Sequence, residues 1–380
     1  LLALAVAARV FAEKVTLDSL LDELTDLGRL AVVPKPAYTC KQFSSYDRKS
    51  TDPKVLSDDN WFANGDRGQY LRKEQRAGKD EFVLMDVDGP GAIVQFWSAN
   101  ANDGGTVFFY FDGEKTPSYQ IDMMDMLGGK KEPFIQPMAI ELSKGWNSYL
   151  PMPYAKHCKV TSSKWDFYYH IDYRTYEKGT KVKSFSTKAV EESMDKIKAV
   201  AKKLEDPETA TAKLAGSPDE QSGDLLLAPG ESQELEFSGP GAITEIRATV
   251  NADKVEAALR GTLIEITFDG RPAPDVQCPL GDFFGTAPGV NKYKGLPCGV
   301  GSDGSFYAHW VMPFKTNAVV KLSNTTKADV EISGGITSTS RGWTDDSLYF
   351  HAKWRGVVDL PTRPRQDWTF LDATGKGRFV

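Results

Sequence analysis

The chain has 380 residues, enough for two or three domains. Its 46 Lys and Arg against 52 Asp and Glu leave a net charge of −6, which argues against binding along a phosphate backbone. No apolar run approaches the ~18 residues of a membrane-spanning helix, and 33 Gly, 21 Pro and 11% aromatic residues suit short strands joined by many turns.

Leu1 to Ala8 is apolar and is followed by Val10-Phe11-Ala12, small or branched where a signal peptidase reads. The expectation is a secretory signal remnant over 1–12, cut after Ala12; the alternative is a buried first helix. The absent Met implies a sequence clipped at its start. Within 13–37, Thr16 can cap a helix whose apolar face is Leu17, Leu20, Leu21, Leu24 and Leu27, ended by Gly28. An irregular stretch then precedes strands at Glu81–Val87, Ala92–Ser98, Thr106–Phe111, Cys158–Ser162 and Phe167–Arg174. In 187–223, Val190, Met194, Ile197, Ala201 and Leu204 form a helical stripe with Lys196, Lys198, Lys202 and Lys203 off it. A membrane-binding basic helix is one reading, and a packed stripe with solvated lysines is the preferred one. Ser217 to Gly223 reads as a polar linker. Strands resume at Ser232–Phe237, Ala242–Val250, Leu263–Phe268, Ala318–Leu322 and Ala328–Ile336, and Thr374 to Val380 looks like a new strand.

Self-similarity organises the chain. Gly89-Pro90-Gly91-Ala92-Ile93 recurs as Gly239-Pro240-Gly241-Ala242-Ile243, Phe111-Asp112-Gly113 as Phe268-Asp269-Gly270, and Met152-Pro153-Tyr154 as Met312-Pro313-Phe314. The order is kept, with offsets of 150, 157 and 160 residues. Each repeat is therefore a whole domain. Its strand-rich pattern and Asp-Gly hairpin turns predict an all-β chain of tandem jelly-roll sandwiches over 38–186 and 224–362, with a further β-domain starting in 363–380. The two modules should share one topology.

The usual catalytic signatures are missing: there is no G-x-S-x-G elbow, Walker loop or H-E-x-x-H helix. Gly89-Pro90-Gly91 is not a dinucleotide loop, because no helix follows. His157, His170, His309 and His351 are scattered, and Cys40, Cys158, Cys278 and Cys298 lack the short spacings of a zinc site; disulfides and lone thiols both remain open. No cofactor or metal is expected. The densest polar cluster is Ser44-Ser45-Tyr46-Asp47-Arg48 with Asp58-Asp59-Asn60-Trp61-Phe62. Carboxylates and amides bind hydroxyl pairs and an aromatic ring covers the apolar face of a sugar, so Asp47, Arg48, Asp59, Asn60 and Trp61 are candidate substrate-binding residues. The alternative is a well-capped surface loop. They are expected around one concave pocket, with Trp97 as a wall. Asp282 in Asp282-Phe283-Phe284-Gly285 is a further candidate, or else a turn cap. Asn324-Thr325-Thr326 is a formal glycosylation sequon.

Ser44 to Arg48, Asp59-Asn60-Trp61, Asp88 to Ile93 with Trp97, Pro279 to Gly285, Met312-Pro313-Phe314 and Tyr349-Phe350-His351-Ala352 together resemble one family, glycoside hydrolase family 172, earlier a domain of unknown function numbered 2961. The resemblance runs from about Tyr38 to Val380. It implies tandem jelly rolls, homo-oligomers (trimers or multiples), and retaining hydrolysis of α-linked arabinose or fructose furanosides. This sequence resembles a longer variant with an extra β-domain. A retaining glycosidase needs two carboxyl groups about 5–5.5 Å apart. The family's two catalytic Glu motifs follow a Gly-x-Gly-x-x-Val strand like Gly375 to Val380, so no catalytic Glu is carried onto this chain and the pair is expected beyond Val380. The function expected is an exported, secreted or periplasmic carbohydrate-active protein taking furanose-containing oligo- or polysaccharide, with no nucleic acid and no membrane span, and inactive as given. The alternative is a non-enzymatic carbohydrate-binding or cell-surface β-sandwich protein.

Overall fold

The computed structural model describes residues 14–209, 214 and 216–380, so the expected signal remnant at 1–12 lies outside the described residues. Two compact units emerge. The first takes the chain up to Leu24, Pro34–Lys202 and Pro361–Thr369; the second takes Thr25–Val33, Lys203–Leu360 and Phe370–Val380.

In the first unit, helix α1 (Leu17–Glu23) begins on a reciprocal cap. The Ser19 amide donates to Thr16 Oγ1 at 3.1 Å and the Thr16 amide donates to Ser19 Oγ at 2.9 Å. The helix is shorter than the leucine spacing predicts. Asp26 instead starts a separate 3-10 turn, Leu27–Ala31, by accepting from the Arg29 amide at 3.3 Å. A short acidic side chain that bonds nearby backbone competes with helix continuation.

The strands of the two main sheets of this unit are β1 (Tyr38–Ser44), β2 (Arg72–Arg76), β3 (Lys79–Asp88), β4 (Gly91–Ser98), β5 (Thr106–Phe111), β6 (Tyr119–Asp122), β7 (Ala139–Leu142), β8 (Gly145–Ser148), β9 (Met152–Tyr154), β10 (His157–Ser162) and β11 (His170–Tyr176), with helix α2 (Met123–Leu127) after β6. One sheet runs β1-β11-β4-β8-β7, with β9 also on β4; the other runs β2-β3-β10-β5-β6. Setting aside β2, β7 and β9, the eight main strands alternate between sheets as a jelly roll requires, first–eighth–third–sixth facing second–seventh–fourth–fifth. Tyr154, Phe109, Phe134, Phe167 and Tyr169 fill the space between them, all fully buried. Helix α3 (Thr187–Glu205) buries Val190, Ile197, Val200 and Ala201. Lys196 pairs with Asp22 at 2.5 Å and Lys198 with Glu132 at 2.7 Å, so the stripe packs and these lysines are paired rather than free for a membrane.

The second unit repeats the plan with β12 (Pro218–Leu227), β13 (Ser232–Ser238), β14 (Gly241–Asn251), β15 (Thr262–Phe268), β16 (Val276–Pro279), β17 (Cys298–Val300), β18 (Phe306–Ala308), β19 (Met312–Phe314), β20 (Asn317–Asn324) and β21 (Val330–Ser340), plus helices α4 (Val255–Gly261) and α5 (Leu280–Phe283). Its sheets run β12-β21-β14-β18-β17, with β19 on β14, and β13-β20-β15-β16, the second extended by a parallel pairing of Ala352–Lys353. Strand for strand this is the first unit without β2. The topology shared by the two repeats is what the recurring motifs predict.

Two expectations are corrected. Ser217 to Gly223 is not a linker: from Pro218 onward it is the first half of β12, paired along its length with β21. An edge strand is held by its ladder, so polar side chains and a leading proline are tolerated, and hydropathy alone cannot tell it from a loop. At the other end, no strand is described after Lys353. A strand needs a neighbour for its backbone groups. Arg378 instead donates to the Val32 carbonyl at 2.8 Å.

The three repeated motifs turn out to be one structural feature. Gly91 pairs with Tyr154 and Gly241 with Phe314. The aromatic ring lies so near that a Cβ would sit 2.3 Å from it at Gly91 and 2.8 Å at Gly241, so only glycine fits. The chain then turns, and the turn is held by the Asp-Gly motif. Asp112 accepts from the amides of Ala155 at 3.0 Å and Lys156 at 2.7 Å. Asp269 accepts from Lys315 at 3.0 Å, Thr316 at 2.7 Å and the Tyr349 hydroxyl at 2.5 Å. Burial alone would raise the Asp269 pKa; the bonds from Tyr349, Thr316 and Lys315 outweigh it and bring it down to about 2. A carboxyl depressed in the folded state stabilises fully above its unfolded pKa of about 3.9 and loses that contribution as pH falls through about 2. Asp269→Ala is therefore expected to cost about 1–2 kcal/mol at neutral pH. In denaturant unfolding, the gap from wild type should shrink between about pH 4 and pH 2; a gap independent of pH would contradict the assignment.

Candidate functional site

The first unit carries a polar and aromatic patch on the outer side of its β1-β11-β4-β8 sheet. Strand register builds it. Ser44, His170, Trp97 and Asn147 fall in one row across the sheet, and Gln42, Asp172 and Gln95 in the next. The Trp97 and His170 rings lie 4.6 Å apart. Beside them Gln42 donates to Asp172 at 2.9 Å, and Gln95 donates to Asn147 at 3.4 Å and to the Tyr149 hydroxyl at 3.3 Å. Burial lowers the His170 pKa, against the opposing pull of Asp172 and Asp66, so a neutral imidazole stands beside the indole. Burial also raises the Tyr149 pKa, helped by Asp172. This surface offers amides, a carboxylate, a phenol and an aromatic face, the groups that hold hydroxyl-rich ligands.

The loop after β1 borders this patch. Asp66 accepts from the Asp47 amide at 2.8 Å, and the buried Asp47 carboxylate accepts from the amides of Lys49 at 3.0 Å and Gly65 at 2.8 Å. Those two amides hold the Asp47 carboxyl below its usual range. Asp47 thus shapes the loop, and its oxygens are already engaged. Arg48 does not pair with Asp47; it donates to the carbonyls of Ser44 at 3.0 Å and Tyr46 at 3.3 Å and covers the Tyr46 ring at 4.0 Å. Asn60 ties the loop to itself, accepting from the Asp52 amide at 3.0 Å and donating to Thr51 at 3.2 Å. The Trp61 indole donates to Asp367 at 2.5 Å. Asp59 is exposed and makes no hydrogen bond or ion pair among the described residues. The structure thus connects Asp47 through Asp66 to the Trp97 patch, whereas Trp61 is engaged with Asp367. Gln42, Gln95, Asn147, Tyr149, His170 and Asp172 were not singled out in the sequence. They are far apart along the chain, and only the β alternation of outward positions hinted at them.

Equivalent positions in the second unit have other chemistry. Glu245, Arg247, Tyr307 and His309 stand where the first unit has Gln95, Trp97, Asn147 and Tyr149. Arg247 donates to Glu245 at 2.5 Å and to the Glu208 carbonyl at 3.0 Å, and fully buried His309 lies 3.3 Å from Glu245. That face is closed by its own charges. Asp282 belongs to this unit and pairs with Arg260 at 2.8 Å, beside an open cleft of about 600 Å³ between α4 and the 287–289 turn. The Asn324 sequon is sterically spent: Asn324 is buried and donates to the carbonyls of Leu227 at 2.9 Å and Ala328 at 2.8 Å. All four cysteines are free thiols. Among the described residues, no cluster of His, Cys, Asp and Glu is arranged to hold a metal, and no helix is long and apolar enough to cross a membrane.

The model of the GH172 first beta-sandwich domain matches residues 36–193, and that of a GH172 domain-like unit matches residues 219–335. The chain belongs to glycoside hydrolase family 172. Membership in this GH172 family marks it as carbohydrate-active. No curated protein matches it. Among solved structures it is similar to the major capsid protein P2 of bacteriophage PM2, with 7% identity, 82% of this chain and 100% of that one covered, and a TM-score of 0.20. It is also similar to a chain in the atomic structure of Sulfolobus turreted icosahedral virus, with 8% identity, coverage of 71% and 90%, and a TM-score of 0.21. Such values are too low to carry an argument.

Because Asp47 holds two backbone amides across its loop, Asp47→Ala should free residues 48–65 of this GH172 chain without unfolding the sandwich. Limited proteolysis should then cut within that stretch faster than in wild type while circular dichroism stays the same. Equal cutting rates would show that the loop is held by other means.

Proposed function

We propose that this GH172 chain binds a furanose-containing oligo- or polysaccharide on the outer patch of its first sandwich. The observation that carries the reading is the Trp97–His170 ring pair flanked by the Gln42–Asp172 and Gln95–Asn147 hydrogen bonds. In this reading the sugar's apolar face lies over the ring pair and its hydroxyls meet the amides and Asp172. The neutral His170 fits a neutral sugar. Asp282 and its cleft in the second unit, with Asp59 and Trp61 in the first, remain secondary contact candidates. The protein is taken to be exported, secreted or periplasmic, and to work as a homo-oligomer of three or a multiple.

No nucleophile or acid is assigned among these residues. Asp172 is engaged by Gln42 and Asp66 by the Asp47 amide, so the patch is read as a binding surface and not as a hydrolytic pair. Calorimetric titration of the chain with arabinofuranosyl and fructofuranosyl oligosaccharides should give saturable binding and no release of reducing sugar. Trp97→Ala should weaken binding about tenfold or more, the equivalent of ~1.4 kcal/mol, with circular dichroism unchanged. Binding untouched by Trp97→Ala, or equal affinity for pyranose oligosaccharides, would overturn the proposal.

A further inference from the structure

The second unit has a recess in its interior. A cavity of about 420 Å³ lies between its two sheets, walled by Leu225, Leu235, Ile264, Val320, Leu322 and Phe284. Its origin can be read from the register. Gly223 of β12 lies opposite Gly334 of β21, and Gly334 lies opposite Ala248 of β14. Gly223 shares the inward side of its strand with Leu225 and Leu227. It brings no side chain, and a Cβ built there meets nothing within 4 Å. Gly334 is held to glycine because β14 comes so close that a Cβ would sit 2.1 Å from the Arg247 carbonyl oxygen.

The first unit shows what ordinarily fills this place. Ile171 is opposite Phe96 there, as Ile336 is opposite Ile246 in the second. Two residues earlier, Tyr169 stands where Gly334 stands, and Ser45 donates its amide to the Tyr169 carbonyl at 3.0 Å, as Gly223 pairs with Gly334. The Tyr169 ring is fully buried, and its hydroxyl reaches across the sandwich to the Leu84 carbonyl at 3.1 Å. In the second unit no side chain takes that role.

We propose that the second sandwich binds an uncharged apolar ligand, an aryl ring or a short alkyl chain, in this cavity, entering past Gly223. The lining is mostly apolar, with Gln221, Ser222, Asp224, Gln233 and Arg247 as its polar members, and an engineered apolar cavity of about 150 Å³ already takes up benzene. Apolar walls left facing water cost free energy, so a recess this large favours an apolar occupant. A charged ligand would lose its hydration against the predominantly apolar lining. Half-buried Gln221 and exposed Asp224 and Gln233 form the rim, where Gln221 donates to the Glu236 carbonyl at 3.4 Å and ties the two edge strands together beside the opening.

The test is a fluorescence titration of the 380-residue chain with N-phenyl-1-naphthylamine, a neutral apolar dye. One saturable site per chain, displaced by octanol, is expected. Gly223→Leu places a side chain in the opening, where space is free, and should weaken dye binding at least tenfold with the fold retained. Ala248→Leu fills the floor, should weaken binding to a similar degree and should raise the Tm; it also serves if Gly223→Leu does not fold. Absence of saturable binding in wild type, or dye binding by both variants equal to wild type, overturns the proposal.

Discussion

Both sandwiches depend on one close approach. A glycine at the start of the third jelly-roll strand lets an aromatic ring from the Met-Pro-aromatic strand lie directly on its backbone. With the ring fixed, the next turn falls where an aspartate from the Asp-Gly turn can accept its amides. Strand, ring and turn hold one another, and they join the two sheets at one corner of each unit. A side chain at Gly91 or Gly241 would push the ring away and take the turn's amides out of reach of the aspartate. That mutual dependence accounts for three short motifs recurring together while most of the remaining sequence has diverged.

Around this shared corner the two units have gone different ways at two equivalent places. Outside, the first unit keeps an open row of hydrogen-bonding groups and an indole; the second has an arginine paired with a glutamate, and a buried histidine 3.3 Å from that glutamate. A surface whose charges are already paired has little left to offer a neutral sugar. Inside, the first unit fills its core with a tyrosine that also bonds the opposite sheet, and the second leaves a glycine row and a cavity. One backbone plan thus supports a polar, aromatic surface in one copy and an apolar recess in the other. Neither change disturbs the corner, because both lie on rows of the sheet away from it.

Sequence by itself determined the all-β class, the duplication, most strands and the two principal helices, because these rest on local periodicity and on turn residues with strong backbone preferences. It also picked out Asp47 and Trp97, though without the reason each matters. It misread β12 because a paired edge strand with polar side chains has the composition of a linker. The outer patch was decided only by tertiary structure: Gln42 and Asp172 are 130 residues apart, and which outward residues become neighbours depends on strand register, set by pairing across the whole sheet. The cavity was likewise invisible beforehand. A glycine in a strand pattern shows that a side chain is missing, but whether the space fills or stays open is settled by what the facing strands place there.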